Sequence, residues 1–596
     1  MFFIRTVIFV SLALGIGACG PREEKVATPP PAAAPAPPPA PGTVQALRLT
    51  PESATLAVAF RSSGEMLDEW LELAKRLYPR PEELQALVDE GLRIGSEELK
   101  APRAGSFSEL LRAQGIDPVG PAALFVDTSP MTEAYRAASG RLGGGANAEG
   151  VRPWRPLSEP EPTPRRIDIE ASPVLAAAFR YVDAALAERA AKDFVARGAQ
   201  ADPERVDSSN EVTIHVLSVG KLGYVLRDGW LILGNSEAFV QKVAQRIERP
   251  AAVRYGSADV PARPTDQAVA LVRADVLAQL ARDVLPLVAL ARPRLAPWIE
   301  LQYPLLERGA NAYSSDPAVV TLERDGDKIE LLSRLDYSRH PNLGKVFGAP
   351  APLGLASLSP EATVGMLSFR ITDETKNTLE SAWFAGLKER RIRDSQVQMS
   401  LGVMRLLLSL TRNNVAIAVT GVKDGWPLGV VVIEVESPES TKAWLATMGM
   451  SLEPSEVYQG TELMQVPLPL PVEVHYGFSG NRLILTDDLA ALRSALDLAQ
   501  SGAVSPFFTA LDPPFDPSRP RYNGLVLTDR FFGEVLRPLV VGSRQEGDLV
   551  AATVAQAAAN VRQVRASRSV ENGWREGRVT LYLRPEAGGG TENNSE

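Results

Sequence analysis

Leu49–Arg61 reads LTPESATLAVAFR, and Leu358–Arg370 reads LSPEATVGMLSFR. The two stretches align without a gap and share Leu, Pro, Glu, Phe and Arg. A match of this kind across three hundred residues asks for others in the same order. Tyr224–Leu233 (YVLRDGWLIL) lines up with Tyr476–Leu485 (YGFSGNRLIL), and Ala270–Asp275 (ALVRAD) with Gly524–Asp529 (GLVLTD). Each series closes on a hairpin-like end, VTLERDGDKIELLSRL from Val320 and VENGWREGRVTLYLR from Val570. Four ordered matches predict an internal duplication.

The repeated stretches also predict local structure. Thr50-Pro51-Glu52 and Ser359-Pro360-Glu361 each offer a hydroxyl for an N-cap, a proline for the first helical position and an acid for the first turn, so each should open a short helical turn. Thr55–Phe60 is a continuous apolar run, expected of a buried strand. From Glu65 to Tyr78, Met66, Leu67, Trp70, Leu71, Ala74 and Leu77 recur at helical spacing, with acids and bases on the other side. Asp228-Gly229 and Gly480-Asn481 separate apolar runs and signal tight hairpins. Asn235-Ser236-Glu237 and Thr486-Asp487-Asp488 should each cap a following helix.

Hairpins dominate the connections, so the fold class is α+β: two tandem related domains, each a mostly antiparallel sheet with packed helices. The boundaries read as a signal peptide over 1–18, a tether over 19–43, a first repeat over 44–345, a second over 346–585 and a disordered polar tail over 586–596. One difference between the copies stands out. Val415–Val419 and Gly429–Glu436 are joined by a short turn through Lys423–Trp426, whereas the first copy has a long loop over about 128–172, including GRLGGGANAEG. A loop of that length is expected to be mobile or to contact a partner.

With 596 residues and 45% hydrophobic side chains, the chain can bury substantial cores, which excludes disorder throughout. Lys+Arg 63 against Asp+Glu 72 gives a net charge of −9, which argues against nucleic acid as a partner. Of the basic residues 51 are Arg, scattered along the chain. Three His and one Cys leave no material for His/Cys zinc sites or a disulfide framework, and no cofactor is expected.

The lone cysteine, Cys19, ends the first apolar stretch. Arg5 precedes a run of thirteen apolar or small residues from Thr6 to Ala18, closing on Gly15-Ile16-Gly17-Ala18-Cys19. That is shorter than the roughly 20 residues a membrane-spanning helix needs, so a secretory signal fits better. The small residues before Cys19 resemble a bacterial lipoprotein lipobox, with Ile16 where leucine is commonest. The resemblance implies cleavage after Ala18 and acyl chains on Cys19 holding the protein to a membrane. Gly20 in place of Asp favours the outer membrane by the same resemblance. TPPPAAAPAPPPAPGT at 28–43 holds eight prolines and should form a polyproline II spacer. At roughly 3.1 Å per residue, Gly20–Pro41 could reach on the order of 70 Å.

Candidate chemistry is thin. His215, in Val212–Val216, and His475, beside Glu473, sit on strand faces and do not align in the duplication; His340 lies between the copies. Ser218-Val219-Gly220-Lys221 fits a Ser-x-x-Lys pattern without its companion motifs. Asp325-Gly326-Asp327 with Glu330 has too few ligands for a calcium loop and reads as a turn. Asp487-Asp488 read as helix-capping acids, and Lys388–Asp394 as a solvated helix face. No catalytic, cofactor or metal residue is assigned. The body resembles uncharacterised bacterial envelope proteins built from one or two copies of a domain of unknown function, best over 49–61 and 358–370, and the resemblance implies no activity. The leading expectation is a non-enzymatic, lipid-anchored envelope protein that binds or scaffolds an unidentified envelope protein. A carrier of an apolar ligand, with the apolar stretch Val397–Leu410 lining a cavity, is the second reading, and a periplasmic hydrolase the third.

Overall fold

The computed structural model describes residues 42–136, 173–198, 222–250, 266–276, 318–336, 353–373, 408–447, 454–466, 473–511, 525–535 and 560–584, short gaps aside, with scattered positions between. Cys19, Ala18, the proline spacer, Ser218–Lys221, His340, Lys388–Asp394, most of Val397–Leu410 and the tail lie outside them. The protein is α+β, as its hairpin pattern predicts.

The first unit runs α1 (Gly42–Leu47), β1 (Leu56–Phe60), α2 (Glu65–Leu77), α3 (Pro81–Glu98), α4 (Phe107–Ala113), β2 (Ala122–Asp127), β3 (Ile169–Glu170), β4 (Val174–Arg180) and α5 (Ala184–Gly198). It continues with β5 (Ile214–His215), β6 (Gly223–Arg227), β7 (Trp230–Gly234), α6 (Glu237–Glu248), β8 (Arg254–Tyr255), β9 (Ala258–Asp259), β10 (Ala268–Val272), β11 (Ala318–Asp325) and β12 (Lys328–Asp336). The second opens on a 3-10 helix (Leu353–Leu358), then β13 (Gly365–Arg370), β14 (Asn414–Lys423), β15 (Trp426–Glu434), α7 (Pro438–Thr447), β16 (Pro454–Tyr458), β17 (Thr461–Val466), β18 (Val474–Ser479) and β19 (Arg482–Thr486). It ends with α8 (Leu489–Ser501), α9 (Pro506–Thr509), β20 (Leu525–Thr528), α10 (Asp529–Phe531), β21 (Val561–Glu571) and β22 (Trp574–Leu583).

In space the first unit's strands lie in the order β6-β7-β4-β2-β1-β10-β11-β12, all antiparallel. The second unit repeats this order as β18-β19-β15-β14-β13-β20-β21-β22 and adds the hairpin β16–β17 beyond β18. Strand β12 pairs antiparallel with β22, so the two sheets join edge to edge. Outside this sheet, β3 and β5 form a two-residue parallel pair that contains His215.

The core follows from strand alternation. Strand β7 is apolar throughout and covered on both faces. Trp230 and Ile232 point to α1 and α6, packing with Phe239, Val240 and Val243. Leu231 points the other way, toward Ala187 and Ala191 of α5 and Ile116. In the second unit the 3-10 helix and α8 take the places of α1 and α6, with Leu358, Leu492 and Leu496 over Met366, Ala418, Val430 and Ile484.

Several local expectations change. The Pro-Glu segments open no helix. Ala54 N donates to Pro51 O at 3.1 Å, and Thr363 N to Pro360 O at 2.9 Å, so each segment is one tight turn that follows a helix. Thr50 Oγ1 donates back to Leu47 O at 2.5 Å and so closes α1. The preceding helix provides carbonyls within reach, which outcompetes the N-cap role. In α2 Met66 and Leu73 are buried, with Trp70 and Leu77 partly buried beside Leu73; Leu67, 42% exposed, and Ala74 face solvent, and Leu73 takes the place expected of Leu67. The long loop after β2 begins with a helical stretch at 129–136 that buries Tyr135, and residues 137–168 lie outside the described residues. The helix α1 starts two residues inside the stretch assigned to the tether and buries Thr43.

The ALVRAD/GLVLTD match slips by one. Leu271 faces Ala57, and Val526 faces Met366, so Leu271 corresponds to Val526 rather than to Leu525. Short apolar runs of this kind do not define their own register, and a one-residue slip exchanges the two faces. The closing hairpins correspond four residues away from the Val320/Val570 starts, with Asp325↔Lys328 in one matching Glu571↔Trp574 in the other, while the alignments at Leu49/Leu358 and Tyr224/Tyr476 hold to the residue. Tyr224 faces Leu233 and Tyr476 faces Leu485 across hairpins whose turn residues Asp228, Gly229 and Gly480 take positive φ (48°, 79° and 56°).

Candidate functional site

The residues singled out for processing, Ala18 and Cys19, lie outside the described residues, so the site that can be built from geometry is the polar seam between the units. In an antiparallel pair, alternate residues share a face. On β12 that face carries Lys328, Glu330, Leu332 and Arg334; opposite them on β22 stand Tyr582, Thr580, Arg578 and Glu576. Glu330, 5% exposed, lies 2.9 Å from Lys328 Nζ and 3.5 Å from an Arg578 guanidinium nitrogen. Arg334, also buried, donates through Nε to Glu576 Oε1 at 2.8 Å. Arg565 on β21 stacks over Tyr582 at 5.0 Å and donates to Gln563. A buried carboxylate is tolerated only with such partners, and removing one partner is far more costly than the pair is stabilising. The chemistry of the seam is therefore pairing and register.

A groove of about 590 Å³ opens between α2, α3 and α4, lined by Glu65, Asp68, Glu69, Glu72, Gln85 and Ser108 among others. Three of its four acids, Asp68, Glu69 and Glu72, have hydrogen-bond partners. Asp68 accepts from Phe107 N at 2.8 Å and Ser108 Oγ at 2.6 Å, holding the start of α4. Glu69 accepts from Gln267 Nε2 at 2.8 Å, and Lys75 donates to Glu72 at 2.5 Å.

The histidine and acid motifs are placed as follows. His475 Nε2 lies 3.7 Å from Oε2 of Glu473, which directly precedes β18; instead of the solvated strand face expected for the pair, the imidazole is only 12% exposed and its Nδ1 is buried without a hydrogen-bond partner. Asp325-Gly326-Asp327 forms the turn between β11 and β12, and Glu330 belongs to the seam. Of the two capping acids, only Asp488 caps α8, accepting from Ala490 N at 2.9 Å. Asp487 turns to β15 and accepts from Gly429 N at 2.9 Å. Its counterpart Asn235 does the same for Leu175 N at 2.7 Å, and its amide also donates to Pro173 O at 2.9 Å. Asp487 has no proton to offer when ionised, and its Oδ2 is buried without a hydrogen-bond partner. Burial pushes its carboxyl up to about 6, with the neighbouring Asp488 adding to the rise and the Gly429 N–H opposing it.

Among the described residues no group of three or more His, Cys, Asp or Glu side chains is placed to hold a metal ion, and no described helix is long and apolar enough to cross a membrane. The seam acids and arginines escape a motif search because they are spread over β12 and β22, about 250 residues apart. Their one signal in the sequence is the charge pattern of Lys328-x-Glu330-x-Leu332-x-Arg334-x-Asp336. No family model, curated protein or solved structure matches the chain.

Proposed function

We propose that this protein is a lipid-anchored envelope component whose two-unit body binds or scaffolds another envelope component without catalysing a reaction. The observation that carries the reading is Gly17-Ala18-Cys19 at the end of an apolar run, with Cys19 the sole cysteine of the chain. After cleavage behind Ala18, acyl chains on Cys19 hold the protein to the outer membrane, since each buried CH₂ contributes about 0.8 kcal/mol and more than one chain makes anchoring durable. The proline-rich spacer lets the body stand off the bilayer. A body of net negative charge is repelled by anionic lipid, which leaves membrane contact to the acyl chains. Charged groups of the described body that would otherwise suggest chemistry, Glu330, Glu576 and Asp68, have partners that build the fold.

The test is fractionation of the full chain. Cys19→Ser should move the protein from salt-washed membranes to the soluble fraction, a change on the order of tenfold or more. A variant that still pellets with washed membranes refutes the anchor. Crosslinked affinity capture from membranes should recover a specific envelope protein, and deletion of residues 138–166 should weaken that capture if the insert makes the contact. Capture of no specific partner counts against the scaffold.

A further inference from the structure

The join between the units has a symmetry that its tandem connection does not require. Strands β11 and β12 correspond to β21 and β22 at a constant shift of 246 residues: Val319 faces Arg334 in one hairpin, and Arg565 faces Thr580 in the other. Across the join, Lys328 pairs with Tyr582, Arg334 with Glu576 and Asp336 with Trp574. At the centre Leu332 pairs with Arg578, the residue that corresponds to it at the same shift of 246. An antiparallel pair in which a residue faces its own counterpart has a two-fold axis between the two strands. That is the isologous contact by which identical subunits pair.

We infer that the chain is a duplicated homodimer made covalent, and that the β12 edge is a self-complementary interface that fits a second copy of the same edge. Two observations beyond the axis carry this. The first is apolar contact across the join. Trp70, Leu73 and Leu77 of α2 pack with Leu322 and Ile329 of their own unit and with Val561, Val564, Leu581 and Leu583 of the other. The seam thus has a dry core as well as a ladder of backbone hydrogen bonds, so its cohesion does not depend on the linker.

The second is the charge pattern. Folded against itself about Leu332, the strand KIELLSRLD sets Lys328 against Asp336 and Glu330 against Arg334, so every charged position meets its opposite. Opposite charges directly across an antiparallel pair are favourable, and like charges are not. Strand β22 folded about Arg578 instead sets Arg578 against Arg578 and Glu576 against Thr580. The second unit therefore resists pairing with itself and fits the first. Within one chain the linker raises the local concentration of β22 at β12, and the packed seam holds that pair after the linker is cut; a first unit that has lost its second unit takes another first unit. This inference is independent of the lipid anchor.

The test uses the full chain with a protease site placed between Asp336 and Leu353, cut after folding. The fragments should stay together as one 1:1 particle in size-exclusion chromatography at micromolar concentration; separation there overturns the inference. Arg334→Glu, which sets an acid opposite Glu576, should weaken the cut complex tenfold or more, and adding Glu576→Arg should restore it. Failure of that rescue, with both variants folded by circular dichroism before cutting, overturns the pairing register. On prolonged dilution native mass spectrometry should show first-unit homodimers and no second-unit homodimers. The reverse pattern overturns the self-complementarity of β12.

Discussion

Phe125→Ala should lower the unfolding free energy by roughly 3–5 kcal/mol, the range for truncating a buried phenylalanine. The ring is fully buried in the first unit's core, at the middle of β2. Its flanking residues on the neighbouring strands are Ala57 on β1 and Ala176 on β4. Two alanines have no side chain to swing into the vacated space, so the cavity stays open and the cost falls toward the upper end of the range. The second unit solves the same volume problem in reverse: Ala418 stands where Phe125 does, flanked by Met366 and Val430. All three are buried. Transplanting that solution, Ala57→Met and Ala176→Val on top of Phe125→Ala, should recover at least half of the loss, because volume-conserving changes in a core cost little. Chemical denaturation followed by circular dichroism reads both values. A loss below about 1 kcal/mol for Phe125→Ala, or no recovery in the triple variant, contradicts the equivalence of the two cores.

Asp487→Asn should stabilise the protein above pH 6 and remove a component of its pH dependence. The folded-state carboxyl titrates at about 6 against an ordinary value of 3.8, so the native state holds the proton more tightly than the unfolded one. The stabilisation from this group is fully present below pH 3.8, declines as pH rises, and is lost above about 6. At 1.36 kcal/mol for each unit of pKa difference, the loss at neutral pH amounts to at most about 3 kcal/mol. Asparagine keeps the acceptor for Gly429 N and supplies the amide that Asn235 uses in the first unit. Stability of wild type and variant measured from pH 4 to 8 should converge at the acid end and diverge toward neutrality. The reciprocal change Asn235→Asp should cost stability at neutral pH. Parallel pH curves for wild type and Asp487→Asn would show that this carboxyl is not the group responsible.

These expectations rest on a correspondence that was partly legible in the linear chain. The turns Asp228-Gly229 and Gly480-Asn481 are visible because positive φ restricts the residues that serve there, and the register of each hairpin follows from its turn. The strand at Leu56 and the amphipathic helix at Glu65 are visible because burial imposes a period on local sequence. The helical turn expected at Pro51 and Pro360 failed for a local reason. A cap preference says which residues can end or begin a helix, and the helix already present on the N-terminal side determined which of the two occurred. Leu73 in α2 is not singled out by periodicity for a related reason: several neighbouring leucines satisfy the helical period, and only the strands beneath select among them.

The candidate site was less legible still. Glu330 reads as part of a turn motif and Asp487 as half of a capping pair, because each real partner is distant in sequence: Arg578 for the one, Gly429 for the other. The sequence by itself determined the α+β class, the repeated order of strands, the hairpin registers and the position of the lone cysteine at the end of its apolar run. Each of these is written in residues close together along the chain. Only the tertiary structure decided the one-residue slip between β10 and β20, the fate of the Asp487 carboxyl and the pairing of Leu332 with its own counterpart Arg578. Those depend on which strand edges meet, and backbone hydrogen bonds between edges carry no side-chain code that a single strand could display.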